Sequence, residues 1–122
     1  MSADRRLGLV LDCLDPQTLA PFWALALGYT VLADVDNYVL LVPSDGPGPK
    51  LLLQRVPEGK QSKNRMHMDV ETSDVEAVAD ELEAACATRM SELMTEHGSS
   101  WIVMNDPAGN EFCVCDGGGG AG

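Results

Sequence analysis

Apolar positions along the chain fall into short strand-like runs, interrupted twice by stretches with helical spacing. Leu7 to Leu14 reads as a buried strand. Asp15-Pro16 then supplies an N-cap followed by proline at the first helical position. Leu19, Phe22, Trp23 and Leu27 recur at i, i+3, i+4 and i+8, one stripe of a helix, and Gly28 suits its C-terminal cap. Pro21 removes one helical hydrogen bond and is expected to bend the first turns. Thr30 to Val35 and Tyr38 to Val42 predict a hairpin across Asp36-Asn37, whose side chains tolerate the φ values of tight turns. Pro43 to Pro49 is a loop, and Lys50 to Val56 a fourth strand.

Pro57 to Lys63 has the composition of a linker, after which the pattern restarts. Arg65 to Thr72 alternates, with Met66, Met68 and Val70 on one face and His67, Asp69 and Glu71 on the other. Ser73-Asp74-Val75-Glu76 forms a capping box, and Val75, Val78, Leu82 and Ala85 continue as an apolar stripe. From Asp74 to Glu96 there is no glycine or proline, so propensity alone draws one long helix. Ser100 to Asn105 and Glu111 to Cys115 form a last hairpin around Asp106-Pro107-Ala108-Gly109. The tail from Gly117 to Gly122 is expected to be disordered.

The two halves are copies of one pattern. A shift of 59 residues carries Asp15 onto Asp74, Leu9 and Leu11 onto Met68 and Val70, and Leu19 and Trp23 onto Val78 and Leu82. The repeat demands a break in the long helix near Ala87-Thr88, followed by a strand toward Met94, and we adopt it over propensity. Each half is then β-α-β-β-β, module one over about 7–56 and module two over about 64–115, within a single domain 1–116. The fold class expected is α+β. Four strands under one helix leave the other sheet face concave, and two such sheets make an open, eight-stranded, barrel-like cleft.

Composition narrows the function. The chain has 122 residues and 45% apolar content, enough for a real core. No segment reads as a signal peptide or a membrane span, so a cytoplasmic protein with no membrane partner is expected. Cys13, Cys86, Cys113 and Cys115 form no CxxC pair and read as thiols rather than disulfides. A net charge of −11 argues against nucleic acid and permits a cationic ligand. Lys50, Arg55, Lys60, Lys63 and Arg65 cluster as linker surface or as an anion-binding rim. The acidic run from Asp69 to Glu83 reads as a solvated helix face.

Certain segments carry more than composition. They are Leu-Asp-Pro with Phe22-Trp23 and Gly28-Tyr29, then Arg65-Met66-His67-Met68-Asp69-Val70, then Asp106-Pro107-Ala108-Gly109-Asn110-Glu111-Phe112. On these the chain resembles the vicinal oxygen chelate superfamily, which includes glyoxalase I, extradiol dioxygenases and fosfomycin- and bleomycin-resistance proteins. The resemblance spans residues 7 to 115, and Gln54-Arg55-Val56-Pro57 with Lys63-Asn64-Arg65-x-His67 points to a bacterial glyoxalase-like branch. It implies a divalent metal (Mn, Fe, Ni or Zn) held in the cleft by one ligand from each of four strands. It also implies pairing into a homodimer. Carried onto this chain by the repeat, the ligand positions fall on Gly8, Gln54, His67 and Cys113. Glycine has no donor, so no metal is expected, with Asp69 or Glu111 as the substitutes a displaced site would use.

The expected function is therefore a small-molecule-binding protein with a degenerate metal site, sequestering a drug-like ligand in its cleft. A divalent-metal-dependent lyase or dioxygenase is the alternative. The ligand-binding candidates are Gln54, Arg65, His67, Asp69, Trp101, Glu111 and Cys113. His67 doubles as the general base, or as the metal ligand if an ion is bound. The plainer readings are a wall histidine hydrogen-bonded to Asp69, a small wall residue at Cys113, and an ion pair on the helix side for Arg65. Lys60, Lys63 and Arg65 are the candidates for holding a ligand anion. Trp23 belongs to the core and His97 to a turn.

Overall fold

The structure, a computed structural model, describes residues 7–62 and 67–116. The chain divides into two compact units that meet in sequence at Gly59 and Lys60. The 63–66 segment and the glycine-rich tail 117–122 lie outside the described residues.

In the first unit, β1 (Gly8–Cys13) leads to α1 (Pro16–Leu27), then β2 (Tyr29–Val35), β3 (Tyr38–Pro43) and β4 (Lys50–Arg55). The sheet order is β1-β4-β3-β2, with β1 and β4 parallel and the other pairs antiparallel. Asp15 caps α1, accepting from the Thr18 backbone N–H at 3.3 Å and from its hydroxyl at 2.7 Å. Gly28, at φ 69°, closes the helix with an N–H to the Ala24 carbonyl. Pro21 stays inside one continuous helix, on its exposed side. Neither Asp36 nor Asn37 takes a positive φ, so the tight turn uses no left-handed backbone.

The helix packs on β2, β3 and β4. Leu19, Phe22 and Trp23 meet Val39, Leu41, Leu51 and Leu53, all buried. Phe22 and Trp23 stack edge to face at 5.2 Å. Each large side chain buried this way stabilises by about 1.5–3 kcal/mol relative to exposure. The opposite face carries Val10, Leu40, Leu52, Tyr38 and Gln54, as the pairings Val10–Leu52, Leu40–Leu52 and Tyr38–Gln54 show.

The second unit repeats the plan as β5 (Met68–Glu71), α2 (Val75–Ala84), β6 (Thr88–Arg89), β7 (Met94–Glu96), β8 (Ser99–Asn105) and β9 (Glu111–Cys115). Its order is β5-β9-β8-β6, with β7 also on β8, and β5 parallel to β9. Both sheets are open. The cap of α2 is Asp74, accepting from Ala77 N–H at 3.1 Å, and not the Ser73 of the expected box. Asp74 thus repeats Asp15 in role as well as position. The single strand expected toward Met94 is two short ones, so the described strands number nine rather than eight.

The helix does break where the repeat requires. Ala85 is the C-cap, Cys86 adopts φ 82°, Cys86 N–H reaches the Glu83 carbonyl, and Ala87 N–H reaches Leu82. That is a Schellman stop with cysteine in the seat glycine usually takes, which is why propensity missed it. His97 and Gly98, at φ 51° and 80°, close a two-residue hairpin between β7 and β8.

Arg89 reaches from β6 to three carboxylates of α2, Glu76, Asp80 and Glu83. The Glu83 hydrogen bond is the main cause of its raised pKa. Part of the acidic helix face is therefore clasped rather than only solvated.

Candidate functional site

The repeat is not constant at 59 through each unit. Asp12 lies opposite Gln54 and Glu71 lies opposite Cys115, so Gln54 corresponds to Cys115, 61 residues on. By the same register Cys113, paired with Asp69, corresponds to Leu52, paired with Val10. Equating Gln54 with Cys113 is thus corrected by two residues. The slip comes from connections of different length between helix and last strand, which a fixed shift cannot follow. Gln54 keeps the same sheet face as Leu52 and is exposed.

The second sheet gathers the other candidates. α2 takes Val70, Ile102, Met104, Phe112 and Val114 into the core, all buried. Alternation then places Asp69, Cys113, Cys115, Glu111, Trp101, Val103 and Asn105 on the opposite face, with His67 just ahead of β5. Asp69 lies directly across from Cys113, and Asn105 directly across from Glu111.

The polar groups of this face engage one another. His67 Nε2 stands 3.3 Å from Asp69 Oδ1, with side chains 27% and 37% exposed. One donor atom each of His67, Asp69 and Cys113 lie within 4.8 Å of one another. Cys113 itself is only 2% exposed. Lys60 Nζ donates to Glu111 Oε1 at 3.0 Å and also to the Ser62 carbonyl. Lys60 is therefore committed to an ion pair and does not stand ready for a ligand anion. Lys63 and Arg65 lie outside the described residues.

The register of β9 is set by a knot at its start. Asp106 Oδ1 accepts from Ala108 N–H at 2.9 Å and Asn110 N–H at 2.8 Å, and its Oδ2 accepts from Asn110 Nδ2 at 3.1 Å. Gly109 sits at φ 88° and donates to the Asp106 carbonyl. Asp106 and Asn110 are buried. The Asp-Pro-Ala-Gly-Asn motif is thus a device that delivers Glu111 and Cys113 to the open face.

One residue was missed from the sequence. Asn105 Oδ1 is buried and has no hydrogen-bond partner, a state that costs about 1–3 kcal/mol unless a donor reaches it. Alternation from Trp101 would have found it. Two open concavities lie elsewhere, of 680 Å³ beside Leu7, Gly8 and Pro47–Lys50, and of 540 Å³ beside Glu76 and Arg89–Leu93. His67, Asp69 and Cys113 line neither of these two.

Two units, each an open sheet covered on one face by a single helix, define an α+β class, and the polar open face belongs to the second of them. The family model of the glyoxalase-like domain matches residues 8–115, and the chain belongs to that family. With it the chain falls in the vicinal oxygen chelate superfamily. Among solved structures it is similar to the fosfomycin resistance protein FosX from Listeria monocytogenes, at 9% identity over 93% of each chain (TM-score 0.74). A glyoxalase/bleomycin resistance protein/dioxygenase family enzyme from Burkholderia phytofirmans is 17% identical, over 88% of this chain and 94% of that one (TM-score 0.72). One from Nocardioides is 20% identical, over 99% and 91% (TM-score 0.63). At these identities the likeness is one of fold. No curated protein matches the sequence.

Members of this superfamily often use a divalent metal. The four-strand ligand set does not fit here. Its positions carry Gly8, Leu52, His67 and Cys113 in register, and glycine and leucine offer no donor atom. Gly8 is not demanded by backbone or space, since its φ is not positive and a Cβ there would meet Lys50 Cε at 3.7 Å.

Proposed function

We propose that this chain is a small-molecule-binding member of the glyoxalase-like family, taking a drug-like ligand on the open face of its second sheet. The observation that carries this reading is the buried Asn105 acceptor without a partner, on the face that holds His67, Asp69, Trp101 and Glu111. A ligand N–H or O–H would satisfy it. The net charge of −11 and the carboxylates of Asp69 and Glu111 favour a cationic ligand. Trp101 offers a stacking surface for it, and His67 the imidazole for any proton transfer. Gln54 lies on the first sheet and Arg65 outside the described residues, so this reading rests on neither. The family match covers both units, which supports their acting as one domain over 1–116.

A metal-dependent lyase or dioxygenase would need the four-strand set, and Gly8 with Leu52 speaks against it. We further propose a cytoplasmic homodimer. Cysteines held as thiols support the first, and exposed apolar Val10, Val31, Leu32 and Val35 the second.

The test is amide NMR with bleomycin and a panel of cationic aromatic amines. Shifts centred on Asp69, Trp101, Asn105 and Glu111, weakened by Asn105→Leu, support the reading. Saturable binding confined to residues 7–56, or no binding across the panel, overturns it.

A further inference from the structure

We propose that the groove between α2 and the 90–93 segment of the second unit is a docking site for a basic, amphipathic segment of a partner protein. The inference goes beyond the ligand-binding reading and stands without it, because this groove lies on the helix side of the sheet and not on the open face. It is a concavity of 540 Å³ bounded by Glu76 of α2 and by Arg89, Met90, Glu92 and Leu93. Two of its walls are apolar and solvent-facing, Met90 at 55% and Leu93 at 44% exposure. Large apolar side chains left in water around a groove mark a contact surface, and methionine adapts its shape to what it meets. The segment is held before any partner arrives. Met90 N–H donates to the Val103 carbonyl at 2.8 Å, and Ser91 Oγ accepts from the Val103 N–H at 3.0 Å. A partner therefore meets a formed surface, and little ordering is needed on binding.

Charge decides the occupant. Glu76, Asp80 and Glu83 stand at i, i+4 and i+7, a strip of about 10 Å along one face of α2. Arg89 engages one oxygen of each, and all three side chains remain exposed. With Glu92, four carboxylates stand against one guanidinium, a net charge of −3. From Val75 to Glu96 six acids stand against that single base. A small cation neutralises one of these charges. A strip that repeats with each helical turn matches instead a chain carrying several Lys or Arg, with Met90 and Leu93 receiving its apolar residues. The fold does not require the strip. In the first unit the same framework is built on α1, which carries no charged residue, and the 59-residue shift sets Gln17, Pro21 and Ala24 at the places of Glu76, Asp80 and Glu83.

The experiment is a titration of the full-length, isotope-labelled protein with a synthetic, end-blocked peptide about 15 residues long, patterned as a lysine–leucine amphipathic helix, followed by amide NMR. The expected result is saturable binding that weakens as salt rises, with shifts centred on Glu76, Asp80 and Met90 to Leu93. Leu93→Ser and Asp80→Lys, both at exposed positions, are each expected to weaken it by more than about fivefold while their thermal melts stay cooperative. Unchanged affinity in either folded variant overturns the proposal, as does no saturable binding, or shifts centred on another surface. Equal binding by a lysine peptide without leucine assigns the surface to charge alone and overturns the docking site, and this comparison on the wild-type protein decides if the variants do not fold. Equal binding by n-hexylamine gives the groove to a small cation, and shifts at Met90 to Leu93 on raising the protein concentration alone give it to a second copy. Either result overturns the proposal. The readout lies off the face of Asp69, Trp101, Asn105 and Glu111, so its failure is separate from failure of the ligand-binding reading.

Discussion

Lys60 and Glu111 form a 3.0 Å ion pair whose side chains are only 18% and 21% exposed, tying the first residue of the second unit to the first residue of β9. Lys60 also donates to the Ser62 carbonyl, so its ammonium is held from two sides. A pair this sheltered escapes most solvent screening, yet each charge alone would be poorly solvated. Lys60→Met should therefore destabilise the protein by about 1–2 kcal/mol. Adding Glu111→Gln to it should cost less than the two single changes combined. Urea denaturation of the four proteins checks this, and strict additivity would show the pair contributes nothing.

Asp106 concentrates more hydrogen bonds than any other side chain on the β8–β9 connection. Replacing it with alanine leaves the Ala108 and Asn110 amides without their acceptor in a buried turn. The expected loss is about 2–4 kcal/mol, read as a lower urea midpoint. A loss under about 0.5 kcal/mol, within the range of ordinary surface substitutions, would mean the turn holds without its knot.

Cys86 offers the opposite opportunity. It is exposed and stands at φ 82° in the αL seat of the α2 stop, where a β-carbon is strained and glycine is not. Cys86→Gly is expected to raise stability by about 0.5–1 kcal/mol, with the gain moderated by the freer unfolded chain. A lower melting temperature would contradict the assigned strain.

The acid limb of stability should carry a signature of the first helix cap. Hydrogen bonds from the Thr18 hydroxyl and backbone N–H lower the Asp15 pKa. A depressed folded-state pKa adds stability that is fully present above the unfolded value, about 3.9, and is lost as pH falls through the folded one. Asp15→Asn should therefore narrow its deficit to wild type as pH drops below about 4, with a constant deficit at neutral pH. A deficit independent of pH from 7 down to about 3 would remove the charge from the cap's role.

Arg89 holds Glu76, Asp80 and Glu83 together, three carboxylates that otherwise repel along one helix. Arg89→Met is expected to cost about 1–2 kcal/mol in low salt and markedly less in high salt. Equal losses at both ionic strengths would assign the effect to packing of the arginine stem.

What the chain determined by itself is its local pattern. Alternation, helical stripes and the Asp15 cap depend on neighbours within a few residues, so the first βαβββ unit was legible, and the repeat carried its plan onto the second apart from the Asp74 cap and the extra strand. So was the face that His67, Asp69, Glu111 and Cys113 share, because side-chain direction along a strand alternates without regard to distant contacts. The Asp106 motif was legible as a resemblance before its hydrogen bonds explained it. Pairing register was not legible. Which residue of β4 stands beside Asp12, or of β9 beside Asp69, is set by connection lengths and by packing against a helix. The tertiary structure moved Gln54 off the position of Cys113 and put Leu52 there. It also placed Asp69 within reach of His67 and Cys113, split one expected strand into β6 and β7, and left Asn105 with an acceptor to satisfy. These are outcomes of long-range packing, where a two-residue slip costs nothing in local propensity and decides which side chains meet.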